Sequence, residues 1–175
     1  MGVTTSTANA GSTYVPIATQ TLSSSAFTVT FNSISQAYTD LVIVVDFILT
    51  SQPTYADGYI TFNGSSTGYS KTTIFGVPSP YAYRTTNASA YTISGANYTA
   101  WGTLKVEIPN YTSTSVAKSF LARNDIGNYG SFTEAGLWNN TSAITSITFT
   151  GWDTGGSQDN WDVGSTFTLY GIKAA

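Results

Sequence analysis

At roughly 100 to 200 residues per domain, a chain of 175 residues is one domain with room for a substantial core. Only 9% of it is charged, against 41% hydrophobic and 14% aromatic, which excludes an intrinsically disordered chain. The absence of histidine and cysteine removes the commonest general base, the commonest metal ligand and every thiol nucleophile, and most enzyme classes with them.

The first residues, Met1 to Ser12, are rich in Thr, Ser, Ala and Gly and have neither the basic start nor the apolar run of a secretory signal. We read 1–13 as a flexible arm and 14–175 as one β-sandwich domain. The 30 Thr and 22 Ser favour strands, whose side chains alternate between two faces. A first strand is placed at Tyr14 to Leu22. In Phe27 to Phe31 the odd positions are apolar and the even ones are threonine. Leu41 to Leu49 carries Leu41, Ile43, Val45, Phe47 and Leu49 on one face, and Val42, Val44, Asp46 and Ile48 on the other, the pattern of a central strand. It is also the longest apolar run, far short of the roughly 20 residues of a membrane helix, so membrane insertion is not expected.

Further along, Ile60 and Phe62 oppose Tyr59, Thr61 and Asn63, and Tyr69 to Val77 follows. Gly76 to Ala100 reads as a long decorated loop with Pro78, Pro80 and several tyrosines, broken only by a short piece at Tyr91 to Ser94. Gly102, Leu104, Val106 and Ile108 oppose Trp101, Thr103, Lys105 and Glu107. Ser115 to Arg123, Tyr129 to Trp138, Ala143 to Trp152 and Ser165 to Lys173 complete the set, separated by turn-forming Gly, Asn, Asp and Ser. The fold class is all-β: a single antiparallel β-sandwich, jelly-roll-like, of about eight to ten strands.

Four constellations bear on chemistry. Glu107 and Glu134 are the only glutamates and could form a glycosidase pair only if some roughly 5 to 9.5 Å apart, but Glu107 sits beside Lys105 like a solubilising charge. Without histidine a Ser/His/Asp arrangement is impossible, so no catalytic residue and no enzymatic activity is expected. The loop from Gly151 to Asp162 offers Asp153, Asp159 and Asp162 to a cation, although its spacing is not that of an EF-hand and local turn bonding is the stronger reading. The aromatics Tyr81, Tyr83, Tyr91, Tyr98, Trp101, Trp152 and Trp161 suit either subunit contacts or sugar stacking. Sequons at Asn63, Asn87, Asn97, Asn110, Asn139 and Asn140 follow from the abundance of hydroxyl residues. The six basic residues, Lys71, Arg84, Lys105, Lys118, Arg123 and Lys173, are scattered singly at a net charge of −3, so nucleic acid is not an expected partner. No cofactor is expected.

The opening Tyr14-Val15-Pro16-Ile17-Ala18-Thr19-Gln20-Thr21-Leu22, then Val29-Thr30-Phe31, Ser33-Ile34 and Tyr38-Thr39-Asp40-Leu41-Val42-Ile43, resemble small virion proteins of tailed bacteriophages. Ile60-Thr61-Phe62-Asn63-Gly64 with Tyr69-Ser70, Ala143 to Phe149, and the closing Gly164 to Lys173 resemble the same set in the same order. The resemblance implies a structural protein on the exterior of a phage particle, made in the host cytoplasm and either decorating the capsid or belonging to the tail and its fibres. It implies other virion proteins as partners and a homo-oligomer, with a trimer favoured by the threefold sites of capsids and fibres. The alternative is a tail-fibre adhesin whose Tyr- and Trp-rich loops bind a host-surface glycan.

Overall fold

A computed structural model describes residues 13–50, 56–96, 101–126, 130–153 and 157–173. Of the segment 1–13 read as an arm, residues 1–12 lie outside the described residues. Among the described residues twelve strands form: β1 (Tyr14–Thr21), β2 (Thr28–Phe31), β3 (Asp40–Phe47), β4 (Ala56–Phe62), β5 (Tyr69–Gly76), β6 (Tyr81–Ala88), β7 (Tyr91–Ala96), β8 (Gly102–Ile108), β9 (Lys118–Ile126), β10 (Gly130–Trp138), β11 (Ile147–Asp153) and β12 (Thr166–Ile172). They make an eight-stranded sheet, β1-β12-β3-β8-β9-β10-β5-β6, and a four-stranded sheet, β2-β11-β4-β7, with antiparallel pairing throughout.

Setting aside two hairpins exposes the plan. Without β5–β6 and β9–β10, the strands β1-β12-β3-β8 lie opposite β2-β11-β4-β7, which is the interleaved pair of four-stranded sheets of a jelly roll. The hairpins dock on each other through β10 and β5 and widen one sheet alone. The expected eight to ten strands therefore become twelve. The segment read as a loop between Gly76 and Ala100 supplies two of them: β6 is an edge strand exposed on nearly every residue, so it needs no apolar alternation, and β7 buries only Tyr91 and Ile93 among its described side chains.

The alternation read from the sequence decides which side chains enter the core. Leu41, Ile43, Val45 and Phe47 of β3 and Leu104, Val106 and Ile108 of β8 point inward, and Phe31, Ile60, Phe62, Ile147 and Phe149 meet them from the small sheet. Toward β9 and β10 the core is aromatic. Phe62 stands edge-on to Phe120 at 5.6 Å and to Trp138 at 5.7 Å, and Tyr91 stands edge-on to Phe120 at 4.7 Å. Gly136 makes room for this cluster, because a Cβ there would fall 2.0 Å from Cε2 of Phe120. Gly136→Ala is therefore expected to cost about 1–3 kcal/mol in urea unfolding, as overpacked cores do. A cost near zero would mean that the Phe120 ring does not lie over Gly136.

Asparagines in left-handed backbone, two in turns and Asn87 within β6, account for half of the sequons. Asn63, Asn87 and Asn110 have φ of 53°, 54° and 50°, the left-handed region that Asn tolerates better than other non-glycine residues. Asn63 also ties two loops together, since its Oδ1 accepts from the Thr145 and Ser146 amides and its Nδ2 donates to the Ala143 carbonyl.

Candidate functional site

The seven aromatics do not form one platform. Tyr81 and Tyr83 lie on β6, 54% and 38% exposed, with Tyr81 stacked on Phe75 at 4.2 Å and Tyr83 tilted against it at 5.4 Å. Trp101 is 52% exposed just before β8. Trp152 is half-buried on the outer face of the small sheet, and Tyr98 lies outside the described residues. Tyr91 and Trp161 are corrections: both are buried and neither can present a ring to a ligand. Trp161 is fixed by isolated bridges to Ala26 and Leu49 and stands edge-on to Phe47 and Phe167, at 5.5 and 5.4 Å.

The acidic loop residues serve its turns. Asp159 is buried, and its Oδ1 accepts from the Thr50 hydroxyl at 3.0 Å and the Asn160 amide at 2.7 Å. Oδ1 of Asp162 accepts from the Val163 amide at 2.7 Å. Asp153 ends β11, and its side chain lies outside the described residues. Among the described residues no three acidic side chains gather to hold a metal ion. The geometry is that of side chains bonding nearby backbone, which Asp favours in turns.

The glutamates occupy opposite faces of the large sheet, so they cannot flank one cleft. Glu107 points outward and pairs with Lys105 at 2.6 Å, which raises the Lys105 pKa chiefly through that hydrogen bond. Glu134 points inward and is buried. Its Oε1 accepts from Lys71 Nζ at 2.8 Å and from the Thr73 hydroxyl at 2.9 Å, and its Oε2 accepts from the Tyr91 hydroxyl. Lys71 donates also to the Thr92 carbonyl at 2.7 Å, which joins the large sheet to β7. This polar seam separates the main core from a smaller cluster of Phe75, Phe132 and Val77.

A second buried lysine was equally hidden in the sequence. Lys118, at the start of β9, donates to the carbonyls of Ser113, Val116 and Thr141 at 2.6, 2.9 and 3.0 Å, and desolvation lowers its pKa. It clasps the loop before β9 to the loop after β10.

Two buried tyrosines give the fold an alkaline limit. Burial pushes Tyr69 up to about 12, and burial together with the neighbouring Glu134 carboxylate pushes Tyr91 well above its ordinary value. Both folded-state pKa values exceed the unfolded value near 10, so their stabilising contribution is complete below pH ~10 and is lost as pH rises through the folded values. Ultraviolet titration is expected to show these two phenols ionising last and together with unfolding. Their ionisation at pH ~10 in a still-folded protein would contradict the burial.

The outer faces of the two sheets differ. On the large sheet a mainly apolar hollow of about 590 Å³ is lined by Tyr14, Val42, Leu121, Ala135 and Ile172 together with the carboxylate residues Asp40 and Glu107. Beside it Leu137 is 36% exposed, and Tyr14 is 44% exposed and edge-on to Tyr170 at 6.1 Å. No protein-family model matches the sequence, and no curated protein matches it either.

Proposed function

We propose that this protein is a non-enzymatic structural protein of a phage virion, a decoration or cement subunit on the outside of the capsid that works by surface contact and assembles as a homo-oligomer. The observation that carries the reading is the outer face of the eight-stranded sheet, where a mainly apolar hollow lined by Tyr14, Leu121, Ala135 and Ile172, with Asp40 and Glu107 among them, crosses strands from β1 to β10. A concave, mainly apolar patch on a sheet face is a place where a side chain of a neighbouring subunit or shell protein can seat, and Asp40 and Glu107 beside it can fix the orientation. The resemblance of the strand-and-turn segments to virion proteins agrees with it, as does a core whose ionisable groups are locked in hydrogen bonds.

Particles purified from the host that carries this sequence test it. Electron microscopy is expected to place the subunit on the capsid lattice, as a trimer where the local symmetry is threefold. Leu121→Asp is expected to abolish attachment while leaving the melting temperature within a few degrees. Density at the tail tip would replace decoration by the adhesin, and absence from particles would overturn the virion reading.

A further inference from the structure

The outer face of the small sheet carries a second hollow, of about 400 Å³, lined by Tyr59, Thr61, Ser89, Ala90, Thr150 and Trp152. We propose that this hollow binds a neutral glycan, with a sugar ring laid against Trp152 and its hydroxyls met by Thr61, Thr150 and Ser89.

The register places these groups together. Thr150 pairs with Tyr59 across β11 and β4, Thr148 pairs with Thr61, and the turn between β6 and β7 brings Ser89 and Ala90 alongside. Trp152 is braced rather than loose: its ring meets Phe27 at 5.4 Å and Tyr59 at 6.0 Å, both edge-on, and it is only partly buried where it lines the hollow. A held, partly exposed indole is a stacking surface that loses little entropy on binding.

The hydroxyls supply the second half of the recognition. Elsewhere on these outer faces threonines satisfy one another across strands, Thr30 with Thr148 at 3.0 Å and Thr21 with Thr166 at 3.0 Å. Thr61, Thr150 and Ser89 make no such side-chain bond among the described residues. Each hydroxyl offers one donor and two acceptor positions, the same inventory that a sugar hydroxyl presents. Among the described residues no charged side chain lines the hollow, so no described group there would hold a phosphate or a carboxylate in place. That selects neutral hexose units over nucleotides and acidic sugars. The volume lies within the roughly 300–1,000 Å³ of small-ligand sites. The site lies on the sheet opposite the one assigned to capsid contact, so it stays available on a docked subunit and does not depend on that assignment.

The test is an array of neutral and acidic glycans probed with the full chain, followed by tryptophan-fluorescence titration of the oligosaccharides that bind. Neutral glycans are expected to bind, and Trp152→Ala is expected to weaken them at least tenfold. Thr61→Val and Thr150→Val keep the shape and the melting temperature and are each expected to weaken binding roughly three- to tenfold. The double variant Tyr81→Ala, Tyr83→Ala is expected to bind normally. A flat array, binding restricted to acidic glycans, binding that tolerates the two valine variants, or binding lost through Tyr81 and Tyr83 would each overturn the proposal.

Discussion

Glu134→Ala is expected to destabilise the protein by about 3–5 kcal/mol, because it leaves Lys71 buried without its counter-charge. The carboxylate also accepts from Thr73 and Tyr91, and those donors would lose their acceptor at the same time. Lys71→Met in the same background removes the stranded ammonium and is expected to recover the part of the loss due to the unpaired charge, the cavity at position 134 and the orphaned Thr73 and Tyr91 hydroxyls accounting for the rest. Urea unfolding with an unchanged m-value separates the two outcomes. If the double variant is no better than Glu134→Ala, the damage lies in the Tyr91 and Thr73 contacts and the ion pair is incidental. If the single variant loses less than ~1 kcal/mol, water reaches the seam.

The seam shows what alternation conveys and where it stops. Tyr69, Lys71, Thr73 and Phe75 share one phase of β5, and Phe132, Glu134, Gly136 and Trp138 share one phase of β10. Both charges thus stand in the buried phase of their strands, which a reader who takes every charge as outward passes over. Only the β5–β10 pairing, with Glu134 opposite Thr73 and Gly136 opposite Lys71, makes them neighbours. Lys118 is hidden for the same reason, its partners being carbonyls that no side-chain pattern announces. By contrast the inward faces of β3 and β8 were legible residue by residue, because Leu41, Ile43, Val45 and Phe47, and Leu104, Val106 and Ile108, recur at every second position and are all buried. Trp161 failed for a different cause. It follows an acidic glycine-rich loop and belongs to no strand, held instead by single bridges that impose no period. The Tyr59, Thr61, Thr150 and Trp152 hollow is built from outward residues of two strands that lie far apart in sequence, so its members look like ordinary wet-face residues until β11 and β4 are paired.

Phe47→Ala is expected to cost about 3–5 kcal/mol, the range for deleting a buried phenylalanine from a core that cannot fully collapse. Phe47 is 3% exposed, and its ring is held between Trp161, edge-on at 5.5 Å, and the bare Cα of Gly102 directly opposite it on β8. A Cβ at Gly102 would come within 2.8 Å of Phe47 Cζ, so the glycine and the ring are complementary. That contact yields a sharper expectation than the single loss. Gly102→Ala alone should destabilise by about 1–3 kcal/mol through overpacking. In the Phe47→Ala background the same methyl enters the vacated space, and its cost should fall or reverse. A double-mutant cycle on urea unfolding therefore predicts a coupling of about 1–3 kcal/mol in which the pair is more stable than the sum of the singles. Simple additivity would refute the facing of Phe47 and Gly102, and a single-variant loss below ~1 kcal/mol would refute the inward phase of β3 itself.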